Sequence, residues 1–292
     1  MKTKINLILV LALLSVSTSS IIARFLPDVS AVVISFWRLA IAGFFIWIYT
    51  AFYRQIRIDK KNYKLYVFSG LFLALHFASF YAAVKLTSIA NATLLGITAP
   101  MFTILFERVI LKRKLNPSIL IGLVFASCGT IIIASSGFVL NDSSLLGKLY
   151  GLSAALFIAL VYILADKLRI KSNTIAYTRL LYTIAAFFLL IISVLSGESI
   201  FAIHSIDIVW LAALGIVPTI LGHSLFYYAI KYTSPTIIAS VPLGEPIIAS
   251  ILAWIFFLEK VPIITLAGGI LILFGVYFII ANSSRATLTE NS

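Results

Sequence analysis

Three titratable side chains could do chemistry because each lies inside a long apolar stretch: Glu245, His76 and His223. A carboxylate surrounded by apolar residues must face protein or water, pair with a cation, or carry a proton. A histidine changes charge near neutral pH and can relay a proton or bind a solute. Glu245 could instead cap backbone groups freed by the adjacent Pro246, and each histidine could make one structural hydrogen bond. If these three side chains are functional instead, we expect them to bind protons or a solute.

Smaller polar side chains and prolines recur in the same stretches. Hydroxyl and amide groups in an apolar helix either line a solute pathway or join neighbouring helices by hydrogen bonds. The polar candidates are Asn91, Thr98, Tyr162, Tyr227 and Ser240. A proline disturbs the carbonyl four residues before it, and free carbonyls at membrane depth are tolerated only against protein or water. Pro100, Pro246 and Pro218 are therefore predicted helix kinks, which either mark cavity-lining helices or only improve packing.

Few charged residues interrupt the apolar stretches. Arg38 and Arg179 lie one or two turns inside theirs, and we predict that both extend to the membrane interface as anchors. Glu107 and Arg108 are predicted to form a local ion pair or a gate. The two histidines inside apolar stretches, His76 and His223, have no carboxylates at ligand spacing, so neither a metal site nor a cofactor is expected.

The composition of the chain indicates which secondary structure positions these residues. Of 292 residues, 62% are hydrophobic and 11% charged, against about 45–50% and ~25% in soluble domains. No globular core could hide so much apolar surface, so the solvent must be lipid. A bilayer core about 30 Å thick needs about 20 apolar residues per helix. We predict an all-α integral membrane protein with ten transmembrane helices. These spans, numbered one to ten, are residues 5–23, 33–52, 65–84, 88–111, 119–136, 146–165, 175–196, 208–230, 236–258 and 262–281.

Basic residues predict the orientation of the spans. With the N-terminus inside, sixteen of the 22 Lys and Arg residues fall on the cytoplasmic side and four fall outside. This bias follows the positive-inside rule and predicts that both termini are cytoplasmic. It also explains the net charge of +12 without nucleic acid as a partner. The first apolar stretch could be a cleaved signal peptide, but it is longer than a typical signal core, so a retained helix is expected.

The chain repeats itself at a constant offset of 146 residues. The segment FYAAVKLTS at 80–88 returns as FYYAIKYTS at 226–234. The same offset matches Pro100 with Pro246, Gly122 with Gly268 and Gly129 with Gly275. Apolar helices resemble one another by composition, so the matching Lys, Pro and Gly residues carry more weight than matching Leu or Ile.

The repeat unit contains five spans, and an odd number has a topological consequence. The second copy begins on the opposite side of the membrane, so it must lie upside down relative to the first. Inverted repeats are typical of alternating-access carriers, which bind substrate near the midplane where the halves meet. We predict two inverted five-helix repeats, 1–140 and 141–285, followed by a polar cytoplasmic tail at 286–292.

Three segments resemble the drug/metabolite transporter superfamily, specifically its ten-helix EamA-type permeases. They are FWRLAIAG at 36–43, TSIANATLLGITAPMFTILFE at 87–107 and VPLGEPIIASILAWIFFLEKV at 241–261. The resemblance implies secondary transport of small metabolites or amino acids, often efflux. The halves are not equivalent, because Ala99 stands where the second half has Glu245. Any acidic residue used in coupling is therefore expected from the second half.

The inverted repeat predicts a secondary-active transporter that works by alternating access, and the resemblance implies that it carries small metabolites or amino acids. Efflux is the expected direction, and proton coupling is a candidate mechanism. An uptake carrier for a nucleoside- or cofactor-type metabolite is the alternative, and a membrane-embedded enzyme or a channel is the rival of another class. The sequence has no H-E-x-x-H, G-x-S-x-G or P-loop motif, so no enzymatic activity is expected. The expected partners are a small-molecule substrate, the lipid of the inner (plasma) membrane and protons, with the chain monomeric or homodimeric.

Overall fold

The described chain is helical throughout, apart from short turns and loops. The structure is a computed structural model, which describes residues 2–53, 60–86, 95, 98–114, 117–136, 145–170, 172–258 and 263–281. Seven helices in these ranges are long and apolar enough to cross a membrane. Two shorter apolar helices lie in spans five and ten, and span four contributes Thr98–Val109. This confirms the predicted all-α multi-pass membrane fold.

Most spans are single helices, whereas spans one, eight and nine are interrupted. Span eight changes to π-helical backbone at Gly215–His223, and span nine tightens to a 3-10 turn at Val241–Gly244. In span order, the helices are Lys2–Val16 with Thr18–Ala23, Ala31–Phe52, Tyr63–Leu86, Thr98–Val109, Pro117–Ser136, Leu145–Arg169, Thr174–Leu195, Asp207–Leu214 with Gly215–His223 and Ser224–Ala229, Pro235–Ser240 with Val241–Gly244 and Glu245–Phe257, and Ile263–Ala281.

Side-chain caps fix where several of these helices begin. The first turn of a helix leaves backbone N–H groups without partners, and a hydroxyl or amide oxygen just before it can accept from them. Ser30 accepts from the Val33 N–H at 3.2 Å, and Asn173 accepts from the Ala176 N–H at 2.6 Å. Spans two and seven, which are equivalent in the two repeats, therefore start from the same kind of cap.

Large apolar side chains cover the outer surface of the bundle. Phe44, Ile270 and Tyr277 lie within helices and are 62%, 70% and 70% exposed. A soluble monomer rarely exposes a continuous apolar surface of this kind. Against lipid the same side chains meet a solvent of matching polarity, which agrees with the membrane fold.

Spans one to five pair with spans six to ten in a symmetric pattern. Span two packs against span seven, span four against span nine, and span five against span ten. Span three packs against span six, and span one against span eight. Exchanging every span with its counterpart five places along the chain leaves this set of pairs unchanged. The halves are therefore related by a pseudo-two-fold axis.

Glycine contacts between spans five and ten show that the halves are inverted. A Cβ added at Gly122 would lie 2.8 Å from the Gly275 carbonyl oxygen, and one at Gly129 would overlap the Gly268 carbonyl oxygen. The beginning of span five therefore faces the end of span ten, so the two helices are antiparallel. They hold the same place in the two repeats, and opposite directions mean that one repeat is inverted.

Spans two and seven repeat this antiparallel arrangement. The Trp37 indole N–H donates to the Ile200 carbonyl just beyond span seven at 2.7 Å, and the Trp47 indole N–H donates to Thr183 at 2.9 Å. Increasing residue numbers in one span thus match decreasing numbers in the other. Both equivalent pairs give the same result, so the inversion applies to the repeats as wholes.

Candidate functional site

A cavity of about 120 Å³ lies between the two repeats. Spans one to four contribute part of its lining, and spans six, eight and nine contribute the rest. Among the described lining residues, Arg38 and His76 come from the first repeat, and His223 and Glu245 come from the second. The cavity therefore collects ionisable side chains from both halves at their interface.

Arg38 is the best-fixed side chain of this cavity. It is only 1% exposed, so the prediction of a membrane-interface anchor was wrong. Its Nε donates to Thr219 Oγ1 at 2.7 Å, and its Nη1 donates to Ser19 Oγ at 2.9 Å and to Tyr81 OH at 2.8 Å. The guanidinium carbon lies 4.2 Å from the centre of the Phe77 ring, within the range of a cation–π contact. Hydroxyls inside the bundle thus replace the water that a snorkelling arginine would reach.

Arg179, the counterpart of Arg38 in span seven, lies elsewhere. It is half-buried and stacks over the Trp47 ring with its guanidinium carbon 4.6 Å from the ring centre. It does not line the cavity among the described residues. Two arginines at equivalent sequence positions therefore have different environments.

The two histidines meet across the cavity, with ring centres 6.4 Å apart. His76 Nδ1 lies 2.8 Å from the Ala154 carbonyl oxygen, which fixes the orientation of its ring and makes that nitrogen the donor. His223 is buried, and its Nδ1 has no hydrogen-bond partner among the described residues. The π-helical segment ends at His223 and so sets the position of this ring. Such irregular helical segments are frequent at functional sites.

Glu245 lines the same cavity from span nine. It is the first residue of the helix that resumes after the 3-10 turn at Val241–Gly244. Its side chain is half-buried and makes no hydrogen bond or ion pair within the described part of the chain. The carboxyl is therefore left to face the cavity.

The other polar candidates divide between the cavity and the helix contacts. Tyr162 lines the cavity, and the ring of Tyr227 packs beside it with centres 6.2 Å apart. Thr98 Oγ1 donates to the Leu95 carbonyl and Ser240 Oγ donates to the Thr236 carbonyl. Neither of these two hydroxyls lines the cavity among the described residues. Asn91 lies outside the described residues.

The three prolines occupy different backbone settings. Pro218 lies inside the π-helical segment of span eight. Pro100 is the third residue of Thr98–Val109, and Pro246 is the second residue of Glu245–Phe257. Pro242 lies in the 3-10 turn of span nine and lines the cavity. The irregular backbone of spans eight and nine is therefore closest to the site.

A column of tyrosines leads from the cavity toward the predicted cytoplasmic end. Tyr227 is fully buried, and its ring centre lies 5.4 Å from that of Tyr177 and 6.4 Å from that of Tyr182. The Tyr227 hydroxyl has no hydrogen-bond partner among the described residues. Tyr177 in turn bonds with Ser69 at 2.8 Å. These rings fill the space beyond the cavity and leave one phenol hydroxyl unsatisfied.

An ion network lies at the predicted cytoplasmic end. Arg113 contacts the Glu107 carboxylate at 3.2 Å and the Asp166 carboxylate at 2.7 Å. Glu107 also accepts from the backbone N–H and hydroxyl of Thr236. Burial works against the charged guanidinium, but the carboxylates of Asp166 and Glu107 outweigh it and raise the pKa of Arg113. The network joins span four to spans six and nine, and Glu107 pairs with Arg113 instead of the predicted Arg108.

Sequence reasoning missed the residues that hold Arg38. Ser19 and Tyr81 bond with each other at 3.1 Å as well as with the guanidinium. In the sequence they are an ordinary serine and an ordinary tyrosine inside apolar runs, so only the fold identifies them. The described residues contain no group of three His, Cys, Asp or Glu side chains that could hold a metal ion.

Comparisons with known proteins agree with this architecture. An uncharacterized transporter of Archaeoglobus fulgidus is 23% identical over 98% of this chain and 100% of its own length. The pseudopaline exporter CntI of Pseudomonas aeruginosa is 24% identical over 90% of this chain and 92% of its own length. A solved crystal structure superposes with a TM-score of 0.80 at 16% identity, covering 98% of this chain and 100% of that one. The EamA-like transporter family matches twice, at residues 3–135 and 145–281. The chain belongs to the EamA-like transporter family.

Proposed function

We propose that the protein is a secondary-active transporter that exports small metabolites by alternating access. The observation that carries the proposal is the cavity at the interface of the two inverted repeats, because both contribute ionisable side chains to it. Two such repeats can rock against each other around a central site and expose it to either face in turn. The exporter name of the Pseudomonas aeruginosa relative supports efflux as the direction.

The ion network is suited to act as a gate in this cycle. Glu107 lies in the last turn of span four, and Arg113 follows that span, so both belong to the first repeat. Asp166 and Thr236 belong to the second repeat. Rocking of the repeats must separate these partners before the cavity can open toward that end. Conversely, re-forming the network closes that end while the opposite side opens.

Glu245 is the proposed carrier of a coupling proton. A carboxylate in this setting can alternate between a charged and a protonated state as the cavity opens to either side of the membrane. No protein group in the described chain holds the Glu245 carboxyl in an ion pair or hydrogen bond. A proton gradient is therefore the proposed source of energy for transport.

Proteoliposomes test the proposal with a mixture of candidate substrates. Vesicles with the purified protein are loaded with a small-metabolite extract of bacterial cells, and mass spectrometry follows the loss of metabolites under an imposed pH gradient. We expect a restricted set of metabolites to leave saturably and only in the presence of the protein. A protonophore or the Glu245→Gln substitution should reduce this flux, and Glu198→Gln, outside the cavity, should not.

Other outcomes would overturn the proposal in specific ways. Flux that is unsaturable and unselective would indicate a channel, and new masses in the lumen would indicate an enzyme. With the extract placed outside the vesicles instead, accumulation of metabolites in the lumen, without loss from the loaded vesicles, would favour the uptake alternative. Flux equal to that of protein-free vesicles would show that the protein does not transport these metabolites.

A further inference from the structure

A second pocket opens at the predicted cytoplasmic end, where the chain passes from span four to span five. Its volume is about 460 Å³, and the described residues that line it are Arg108, Lys112, Arg113, Lys114 and Leu120. This described lining therefore has four cations, one apolar side chain and no carboxylate. Such a pocket favours a negatively charged ligand.

The cations of this pocket differ in how far the protein neutralises them. Arg113 pairs with Glu107 and Asp166, whose side chains are buried. The other three cations are exposed, and they form no ion pair with a carboxylate of the described chain: Arg108, Lys112 and Lys114. Positive charge is therefore in excess at the surface of the pocket, where an anion from outside the protein can reach it.

The backbone of this turn does not depend on the cations. Lys112 has a φ of 52°, and Leu258, its equivalent at the offset of 146 residues, has a φ of 54°. Both repeats thus use the same uncommon left-handed conformation after their fourth span. In the second repeat, however, Trp254 and Leu258 stand where the first has Arg108 and Lys112. The positive-inside rule accounts for cations on this side of the membrane, but it does not require them to converge on one pocket.

Exposed apolar side chains continue from the pocket along both spans. On span four, Met101, Leu105 and Val109 are exposed at intervals of four residues, so they lie on one face of the helix. On span five, Leu120 lines the pocket, and Val124 is exposed one turn further along. In a bilayer these faces contact acyl chains. A ligand with an anionic head and apolar chains matches both parts of this surface.

We propose that this pocket binds the phosphate group of an anionic phospholipid, whose acyl chains lie against the exposed faces of spans four and five. The phosphate oxygens accept charge-assisted hydrogen bonds from Arg108, Lys112 and Lys114. A zwitterionic lipid carries the same phosphate, but its own headgroup cation offsets the attraction. A free phosphate ion matches the charge and gains nothing from the apolar faces. The site lies outside the cavity between the repeats, so the bound lipid is not the transported solute.

Binding of radiolabelled phosphatidylglycerol to resin-bound protein in detergent tests the proposal. We expect saturable binding of about one lipid per chain, with phosphatidylcholine competing at least about tenfold more weakly than unlabelled phosphatidylglycerol. Millimolar inorganic phosphate, at constant ionic strength, should displace little of the lipid. Equal competition by phosphatidylcholine would contradict an anionic site. Full displacement by inorganic phosphate would identify a site for a soluble anion and would overturn the assignment to a lipid.

Two triple variants locate the bound lipid. One removes the three unpaired cations of the pocket: Arg108→Gln, Lys112→Gln and Lys114→Gln. The other removes three exposed cations that are predicted to lie on the same side of the membrane and do not line the pocket: Lys4→Gln, Lys64→Gln and Lys167→Gln. A basic residue near an anionic lipid surface strengthens binding about fivefold. We therefore expect the pocket variant to weaken phosphatidylglycerol binding at least about tenfold and the control variant to weaken it less than about twofold. Equal weakening would show general attraction to anionic lipid and would overturn the pocket.

A measurement on the unaltered protein covers the case in which the pocket variant does not fold. Salt screens exposed charges, so raising the NaCl concentration from about 0.05 M to about 0.5 M should weaken phosphatidylglycerol binding severalfold. The charge-keeping variant Arg108→Lys, Lys112→Arg and Lys114→Arg should retain the preference for phosphatidylglycerol over phosphatidylcholine. Binding that is independent of salt, or a loss of the preference in the charge-keeping variant, would contradict recognition of the headgroup by these cations.

Discussion

Arg113→Ala is the perturbation that acts most directly on the ion network. It leaves the carboxylates of Glu107 and Asp166, whose side chains are only 4% and 2% exposed, without their shared cation. Removing one partner of a buried ion pair costs about 3–5 kcal/mol. Arg113 itself is 22% exposed, so water compensates part of the loss, and we expect the free energy of unfolding to fall by about 2–4 kcal/mol.

The reason for this loss can be separated from simple loss of contacts. In the triple variant Arg113→Ala, Glu107→Gln and Asp166→Asn, the two buried side chains are neutral and no longer need the Arg113 cation, so most of the stability should return. Arg108→Ala, at an exposed neighbouring residue, should change the stability by less than about 0.5 kcal/mol. Unfolding of each variant by SDS titration in mixed micelles, followed by circular dichroism, measures these differences.

Two results would refute the electrostatic account of the network. One is an Arg113→Ala variant as stable as the Arg108→Ala control. The other is a triple variant no more stable than Arg113→Ala, because the loss would then come from packing and not from the two carboxylates that lose the Arg113 cation.

Two further substitutions test the packing of the bundle by the same SDS titration. Gly275→Ala places a Cβ 2.5 Å from the Gly122 carbonyl oxygen and should cost about 1–3 kcal/mol, whereas Gly269→Ala meets nothing nearer than 3.7 Å and should be neutral or stabilising. Equal effects would contradict the close contact of spans five and ten. Arg169→Gln removes donors to the Tyr227 carbonyl and to Thr174, and it should cost about 2–3 kcal/mol, whereas the exposed Lys167→Gln should cost little. Equal stability of these two variants would exclude a structural role for the Arg169 hydrogen bonds.

The fold could be predicted because its determinants are local or periodic. Bilayer thickness sets the length of every apolar run, and the offset of 146 residues exposes the repeat. Gly122 and Gly268 match in that repeat, as do Gly129 and Gly275. In the structure these four residues form the contact between spans five and ten. The glycines that repeat along the chain are therefore the same ones that form the contact between spans five and ten.

The site could be predicted only in part, since its key contacts join distant segments. Glu245 and both histidines were recognisable because a titratable group inside an apolar run is costly. The partners of Arg38 are 19, 43 and 181 residues away, and no sequence spacing brings them together. Because the sequence does not show these hydroxyl contacts, it predicts that an arginine near a span end extends to the membrane interface.

The ion network shows a second limit of sequence reasoning. Glu107 and Arg108 are neighbours in sequence, but adjacent helical residues point in different directions. The backbone at Lys112 takes a positive φ of 52°, and the Arg113 N–H donates back to the Glu107 carbonyl at 3.1 Å. This reversal of the chain brings Arg113, not Arg108, to the carboxylate. A non-glycine residue with positive φ is uncommon, and the sequence contains no sign of it.

The inverted arrangement of the two repeats is the claim on which the cavity between them and alternating access both depend. Lys85 and Lys231 are equivalent in the repeat and exposed at span ends, so they report directly on its orientation. In a Cys128→Ser background, Lys85→Cys and Lys231→Cys are labelled separately with a membrane-impermeant maleimide, in intact cells and after permeabilisation. We predict labelling of Lys85→Cys in intact cells and of Lys231→Cys only after permeabilisation. Labelling of both variants from the same side would contradict the inversion.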